Sequence, residues 1–205
     1  MLVGGYAVNT YALPRFSVDC DIVVRGRKEA KKIGLALKEL GYATAETAEK
    51  DIPYGGSFER YEKELEDGFK VSVDLLIKGV HDRQTAATFT ADWIFENSET
   101  RELRGKTITK RLSLRIIDLD ALFVMKAVSA RKTDIRDVFM LAPKVGDSGW
   151  VKQGIAAKCD LKERLARILE TVNSDQFRDG LQGVYGRVDD KVFEKHSEAI
   201  SGLSG

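Results

Sequence analysis

The order of apolar and polar residues predicts three strands in the first part of the chain. The segment Lys70–Lys78 alternates, which predicts a strand with its apolar side chains on one face and Asp74 on the other. The segment Phe58–Leu65 alternates more loosely, and the turn residues Glu66-Asp67-Gly68 join the two segments into a hairpin. The β-branched run in Asp19–Val24 predicts a third strand.

Helical spacing of apolar residues appears between these strands and throughout the last part of the chain. Residues 28–40 form an amphipathic pattern that ends at Gly41, and Asp118 and Asp160 are typical N-caps of later helices. Loops are expected at Ile52–Gly56 and at Arg104-Gly105-Lys106. The pattern predicts an α/β (α+β) fold, with a mixed sheet flanked by helices over residues 1–117 and a helical domain over residues 118–205.

Composition limits the classes of function without selecting one. The 205 residues are 43% hydrophobic and 32% charged, as expected for a globular protein with a core. The net charge of +1 predicts no extensive attraction to nucleic acid or anionic membrane. No leader or membrane-spanning run is recognisable, so we expect a cytoplasmic protein.

Two acids on the first predicted strand are the main candidates for chemistry. Asp19 and Asp21 lie two residues apart, so their side chains point to the same face, while Cys20 points to the core. Paired carboxylates repel each other unless a cation or a proton lies between them, and they suit Mg²⁺ or Mn²⁺. Taken alone, the pair also fits a strand end with two solvated acids.

The residues before these acids suggest a phosphate site. Gly4-Gly5 precedes a short predicted helix over residues 6–13, and a helix N-terminus offers N–H groups and a positive dipole to an anion. Arg15 and Ser17 then place a guanidinium and a hydroxyl just before the acids. The order of these groups could provide a triphosphate with both a backbone cradle and a metal clamp.

The same residues resemble a known signature. Val3-Gly4-Gly5, a spacer of thirteen residues and Asp19-Cys20-Asp21-Ile22 resemble the first motif of the polymerase-β-type nucleotidyltransferases. Arg15-x-Ser17-x-Asp19-x-Asp21 is most similar to the AbiEii-like branch, which includes toxins of abortive-infection and toxin–antitoxin systems. Lincosamide and aminoglycoside nucleotidyltransferases have a related Gly-Gly-x-Ala opening.

The resemblance implies an activity and further site residues. It implies transfer of a nucleoside monophosphate from an NTP to a hydroxyl by a two-metal mechanism, with Asp74 as third catalytic acid and third metal ligand beside Asp19 and Asp21. It also implies that Lys126 faces the phosphates of the nucleotide, and that Asp134 and Asp137 help to organise the site.

A structural role is the alternative for the last three residues. Lys126 lies in an apolar stripe, where a lysine either extends to solvent or meets an anion. In an unbroken helix Asp137 would lie beside Lys126, but a helix break near Thr133, which could itself be an N-cap, would spoil that alignment. The alternative is an internal Lys–Asp pair that braces two domains.

Several questions stay open from sequence. The acceptor could be an RNA or tRNA end, a protein hydroxyl or a small molecule, and a toxin would have an antitoxin partner. A nucleotide-binding regulatory protein that has lost activity and an antibiotic nucleotidyltransferase are the alternatives. The resemblance implies a helix before this strand, and only two residues other than the initial Met precede the glycines. The alternatives are a start that lies within a longer chain and a short first strand with a sheet edge left open, which could support a homodimer.

Overall fold

A computed structural model describes residues 1–45, 57–66, 68–104 and 111–204. The loop expected at 52–56 lies outside these ranges, as do Asp67 of the hairpin turn and Gly105-Lys106 of the second loop. By their contacts the residues form two compact units. The first unit is Met1–Ala7, Phe16–His81 and Thr88–Ile117; the second unit is Val8–Arg15, Asp82–Ala87 and Asp118–Gly205. Within the described ranges, no helix has the length and apolar character needed to span a membrane.

The elements follow one another from mixed α/β structure to helices alone. In chain order they are α1 (Gly4–Tyr11), β1 (Asp19–Val24), α2 (Arg27–Glu39), β2 (Ala43–Thr44), β3 (Ser57–Glu64), β4 (Lys70–Ile77), β5 (Gly79–His81), β6 (Thr88–Thr90), α3 (Ala91–Glu96), β7 (Ser98–Arg104), β8 (Arg111–Ile117), α4 (Leu119–Ser129), α5 (Lys132–Leu141), a 3₁₀ turn (Ala142–Lys144), α6 (Ser148–Ala156), α7 (Leu161–Val172), α8 (Asp175–Tyr185) and α9 (Asp190–Ser201).

The sheet of the first unit has the order β2-β3-β4-β1. β1 runs parallel to β4, and the predicted hairpin places β3 antiparallel to β4. β2 completes this side of the sheet by antiparallel pairing with β3. The hairpin and the strand at Asp19–Val24 are therefore confirmed, with β1 added beside β4 through a parallel pairing that the alternation of residues does not encode.

The first residues of the chain insert between two strands. Leu2 forms an antiparallel bridge to Ile22 of β1 and a parallel bridge to Ile116 of β8. The Leu2 N–H donates to the carbonyl of Arg115 (2.9 Å), and the Val3 N–H donates to the carbonyl of Asp21 (3.0 Å). The sequence left an open edge at this strand as one alternative; the structure corrects it, because both sides of the segment have partners.

The two faces of this sheet differ as the alternation predicts. One face packs on α2, whose observed bounds match the predicted helix to within one residue. The core on this face consists of Val24, Ala30, Tyr61, Val73, Leu75 and Ile77, with Cys20, Ile22, Ile33 and Leu37 packed against it. Cys20 therefore faces the core as expected, and burial raises the pKa of its thiol to about 11.

The helix α1 begins earlier than predicted. The Ala7 N–H donates to the carbonyl of Val3 (3.4 Å), so the first helical turn includes both glycines. Gly4 has φ of +64°, a left-handed conformation that glycine adopts without steric cost.

The second unit is built around α4 and α5. The Asp118 side chain accepts the N–H of Ala121 (2.8 Å), which confirms it as the N-cap of α4. The helix ends at Ala130, with φ of +44°, and Arg131 is the N-cap residue of α5, so the N-cap expected at Thr133 is wrong by two residues. The predicted N-cap Asp160 begins α7. Helices α6 and α7 contact α4, and α7 and α9 contact α5.

Candidate functional site

The three predicted catalytic acids lie on the polar face of β1 and β4. The parallel pairing places Asp21 directly beside Asp74, and Asp19 beside Ser72. Because paired residues on neighbouring strands point to the same side, all three carboxylates belong to one face. Asp74 is buried, with 6% of its surface exposed, whereas the Asp19 side chain is 49% exposed. The strand pairing therefore brings the predicted acids together.

Gly4 lies against one of these acids. A Cβ built on Gly4 would be 1.9 Å from Oδ2 of Asp21, so glycine is required both by its backbone conformation and by the neighbouring carboxylate. A carboxylate at a helix N-terminus is stabilised by the helix dipole. The glycine turn that is predicted to bind phosphate therefore lies next to the predicted acids. The carboxylate of Asp21 is already close to the start of α1.

Arg60 is a member of this group that the sequence analysis missed. Arg60 of β3 pairs directly with Asp74 in the antiparallel register. Its Nε donates to Oδ1 of Asp74 (2.8 Å) and its Nη2 donates to Oδ2 (2.7 Å), while Nη2 also lies 3.8 Å from Oδ1 of Asp19. The hairpin turn fixes the register of β3 and β4, so counting residues back from the turn could have found this pair.

The remaining polar neighbours are hydroxyls. Ser72 Oγ donates to Oδ1 of Asp19 (2.5 Å), and Ser17 Oγ donates to the backbone carbonyl of Asp19 (3.4 Å). The Ser17 hydroxyl therefore contacts the start of β1, and the Asp19 carboxylate has a hydrogen-bond donor beside it.

The acids do not fit a metal ion in the arrangement that the structure records. Among residues 1–45, 57–66, 68–104 and 111–204, no group of three or more His, Cys, Asp or Glu side chains is arranged to hold one. Both oxygens of Asp74 are hydrogen-bonded to Arg60. The residue types suit a divalent cation, but the carboxylate of Asp74, the third predicted ligand, is bound by the guanidinium of Arg60 instead.

The other predicted site residues form an ion network in the second unit. Arg15 donates through Nε and Nη2 to the two oxygens of Asp137, both at 2.8 Å. Lys126 Nζ lies 2.6 Å from Oδ1 of Asp134 and 3.0 Å from Oδ2 of Asp137. The helix break after α4 does not spoil this alignment, contrary to the expectation, because the chain turns at Ala130 and α5 brings both Asp134 and Asp137 back to Lys126.

Burial and pairing act against each other in this network. Burial alone would raise the pKa of Asp137, whose side chain has no exposed surface, but the hydrogen bond from Arg15 and the charge of Lys126 outweigh it and lower the pKa. Burial would likewise lower the pKa of Lys126, and the charges of Asp134 and Asp137 raise it instead. Asp137 and Lys126 therefore both stay ionised at neutral pH, as mutually compensated buried charges.

Arg15 is held by its backbone as well as by its side chain. The Asn9 side chain accepts the N–H of Arg15 (3.0 Å) and donates to its carbonyl (2.8 Å). This side-chain clamp fixes the loop after α1 and so fixes the guanidinium on Asp137.

Asp82 belongs to a further buried cluster in the second unit, and no pattern in the sequence had singled it out. Its Oδ2 accepts hydrogen bonds from Ser129 Oγ and Arg131 Nη2, both at 2.7 Å. Its Oδ1 accepts the N–H groups of Gln84 and Thr85. The carboxylate therefore ties the loop 82–87 to the junction between α4 and α5.

A cavity of about 270 Å³ in the second unit contains none of the predicted site residues. It lies among α5, α7 and α8, and is lined by Lys132, Thr133, Arg136, Thr171, Ser174, Gln176, Phe177, Gly180 and Leu181. The position of this cavity therefore differs from the positions of the residues that were selected for their chemistry.

Comparisons with known proteins identify the fold. No protein-family model and no curated protein matches the sequence. A candidate nucleotidyltransferase from H. pylori is 13% identical over 100% of this chain and 85% of its own, with a TM-score of 0.53. The protein JHP933 from Helicobacter pylori is also 13% identical, over 100% of this chain and 83% of its own, with a TM-score of 0.50.

An antigenic nucleotidyltransferase-like protein from Paracoccidioides brasiliensis is 15% identical over 82% of this chain and 83% of its own, with a TM-score of 0.45. The assignment of the fold rests on the two Helicobacter structures. The chain has the mixed α/β fold seen in the candidate nucleotidyltransferase, followed by C-terminal helices, which confirms the predicted fold class.

Proposed function

We propose that this chain is a nucleotidyltransferase that moves a nucleoside monophosphate from an NTP to a hydroxyl acceptor. The observation that carries the proposal is the grouping of Asp19, Asp21 and Asp74 on one face of β1 and β4, next to Gly4 at the start of α1. The likeness of the fold to a candidate nucleotidyltransferase adds support at the level of architecture.

The proposed reaction needs an anion site and a proton acceptor. The N–H groups at Gly4 and Gly5 and the hydroxyl of Ser17 would bind phosphate oxygens. The acceptor oxygen forms a bond to the α-phosphorus, the bond from that phosphorus to the bridging oxygen breaks, and pyrophosphate leaves. Asp74 would take the proton of the acceptor hydroxyl, since a carboxylate keeps free lone pairs even while it holds a guanidinium. Asp19, Asp21 and Asp74 stay the predicted ligands of Mg²⁺ or Mn²⁺.

Arg15 and Lys126 stay predicted contacts of the phosphates. Their pairing with Asp134 and Asp137 supports a second role, in which the four groups brace the second unit. The two roles differ in what a charge-neutral variant loses: stability for the brace, and nucleotide affinity for a phosphate contact.

The proposed biological setting is that of a toxin of the AbiEii-like branch. It rests on the motif Arg15-x-Ser17-x-Asp19-x-Asp21. The acceptor would then be an RNA end or a protein hydroxyl, and an antitoxin would be the partner.

The experiment is incubation of the protein with each of the four α-labelled NTPs and a cell extract, with Mg²⁺ or Mn²⁺ present. We expect label to enter one class of product, RNA, protein or small molecule, with release of pyrophosphate. Asp19→Asn should abolish incorporation and leave the melting temperature within a few degrees, because this side chain is half exposed. The matched control is Asp92→Asn, an acid on α3 whose side chain is 80% exposed, and it should retain activity.

A second function is favoured by one observation. Arg60 neutralises Asp74, as expected in a protein that binds a nucleotide and transfers nothing. In that case nucleotide would bind to the wild-type protein without pyrophosphate release in any of the four incubations, and that result would remove the transferase proposal.

A further inference from the structure

The cavity among α5, α7 and α8 is lined by two cations. Lys132 and Arg136 lie one helical turn apart on α5, and both line the cavity. No acidic side chain lines it among the residues that the structure describes. Asp134 and Asp137 of the same helix are bound to Lys126 instead. The two positive charges therefore have no counter-charge within the cavity.

Arg136 has a hydrogen-bond donor without an acceptor. Its Nε is buried and has no hydrogen-bond partner among the described residues. A buried donor without a partner costs free energy, and most buried polar groups in proteins are paired. An anion in the cavity would bring acceptor oxygens to this guanidinium.

Two helices begin at the cavity. α5 contributes Lys132 and Thr133 from its first turn, and α8 contributes its N-cap Ser174 followed by Gln176 and Phe177. A helix N-terminus offers N–H groups and the positive end of its dipole to an anion. The hydroxyl of Thr133 and the amide of Gln176 are further donors. One end of the cavity is therefore suited to an anion with several oxygens.

The remaining lining is suited to an apolar group. Phe177 and the buried Leu181 line this part of the cavity. Gly180 leaves the space open, because a Cβ built on it would meet nothing within 4 Å. The volume of about 270 Å³ is just below the range of roughly 300 to 1,000 Å³ that is usual for drug-sized ligands. The cavity therefore suits a smaller molecule.

We infer that this cavity binds a small phosphate monoester. The phosphate lies at the N-termini of α5 and α8, between Lys132 and Arg136, and the organic group lies against Phe177 and Leu181. A phosphate dianion balances two cations and offers three oxygens to the donors, whereas a carboxylate offers one charge and two oxygens. All residues of this site belong to the second unit, so the inference does not rest on the proposed transfer reaction.

Calorimetric titration with phenyl phosphate tests the inference. The wild-type protein should bind phenyl phosphate, and it should bind benzoate, which has the same ring and a single charge, roughly tenfold more weakly. Arg136→Gln should weaken the binding of phenyl phosphate by about tenfold or more, because the buried cation is removed. Arg136→Lys should fall between this variant and the wild type, since an ammonium keeps the charge but loses the planar donor geometry.

A second variant fills the cavity without changing its charge. Gly180→Leu should abolish binding of phenyl phosphate, and it should fold, because leucine favours a helix more than glycine does. The matched control is Gly183→Leu, on the same helix, where a built Cβ also meets nothing within 4 Å. Gly183 does not line the cavity, so this variant should bind phenyl phosphate as the wild type does.

Thermal melting gives an independent reading. Saturating phenyl phosphate should raise the melting temperature of the wild type and of Gly183→Leu, but not that of Gly180→Leu. The inference is overturned by a wild-type protein that does not bind phenyl phosphate, by binding that neither Arg136→Gln nor Gly180→Leu weakens, or by equal affinity for benzoate. Label transfer from an NTP by a protein that does not bind phenyl phosphate would remove this inference and leave the proposed function in place.

Discussion

Gly4 is required both by its left-handed backbone conformation and by the carboxylate of Asp21 beside it. Gly4→Ala would place a Cβ 1.9 Å from Oδ2 of Asp21 at φ of +64°, so both the carboxylate and the first turn of α1 must move. We expect a loss of about 2 to 4 kcal/mol in the free energy of unfolding. Urea denaturation followed by circular dichroism measures it.

Gly180→Ala is the matched control for this substitution. Gly180 lies within α8, and a Cβ built on it would meet nothing within 4 Å. Alanine favours a helix interior over glycine by up to about 1 kcal/mol, so the control should be neutral or stabilised. An equal loss in both variants would show that the contact with Asp21 has no special cost.

At the scale of single residues, the acids and the glycine of the site could be predicted from the sequence, but the arginine could not. Asp19, Asp21 and Gly4 lie within one short stretch, so their spacing could be recognised. Asp74 could be selected because it is an acid on an otherwise apolar strand. Arg60 could not be selected by residue type, because one arginine on a polar strand face resembles any other; only the cross-strand register reveals that it faces Asp74.

The chain turns at the junction of α4 and α5, and Lys126 of α4 nevertheless contacts Asp134 and Asp137 of α5. Asp137→Asn removes a charge that has no exposed surface and leaves Arg15 and Lys126 with one acid between them. We expect a loss of roughly 3 kcal/mol in the free energy of unfolding, because breaking a buried pair leaves charge uncompensated. Urea denaturation of the purified variant checks this value.

Asp190→Asn provides the control in the same unit. Asp190 pairs with Arg178 on the surface, and its side chain is 76% exposed. Exposed pairs contribute little, so we expect a change within about 1 kcal/mol. If both variants lose the same amount, the buried network has no special structural role.

Periodicity predicted α2, the hairpin and the starts of α4 and α7 because those elements depend on local spacing and capping. It misplaced the beginning of α5, where Arg131 rather than Thr133 precedes the helix. It also gave no account of β5 and β6, which have three residues each and pair with one another. Segments this short have too few positions for a period to be measured.

For the whole molecule, two buried acids predict how stability changes with pH. Burial alone would raise the pKa of Asp82 and of Asp137, but hydrogen bonds and nearby cations lower both values below the usual 3.8. The folded state then binds fewer protons than the unfolded state as pH falls through 3.8 and below. Stability is therefore fully present above that pH and is lost towards the folded-state values.

Melting temperatures measured from pH 5 to pH 2.5 check this prediction, with a falling curve expected across the lower half of the range. Asp137→Asn should show a shallower fall than the wild type, because one of the two titrating groups is gone. A curve as steep as that of the wild type would assign the acid sensitivity to other carboxylates.

The segment from Met1 to Val3 also constrains the order of folding. It is synthesised before β1 and long before β8, yet its backbone groups bond to both strands, and Ile22 and Ile116 flank the same Leu2. Leu2 and Ile116 lie so far apart along the chain that their contact carries a large loop-closure cost, so this contact forms late. We therefore expect these residues to be the last to dock during refolding, and their insertion to be the step that closes the sheet.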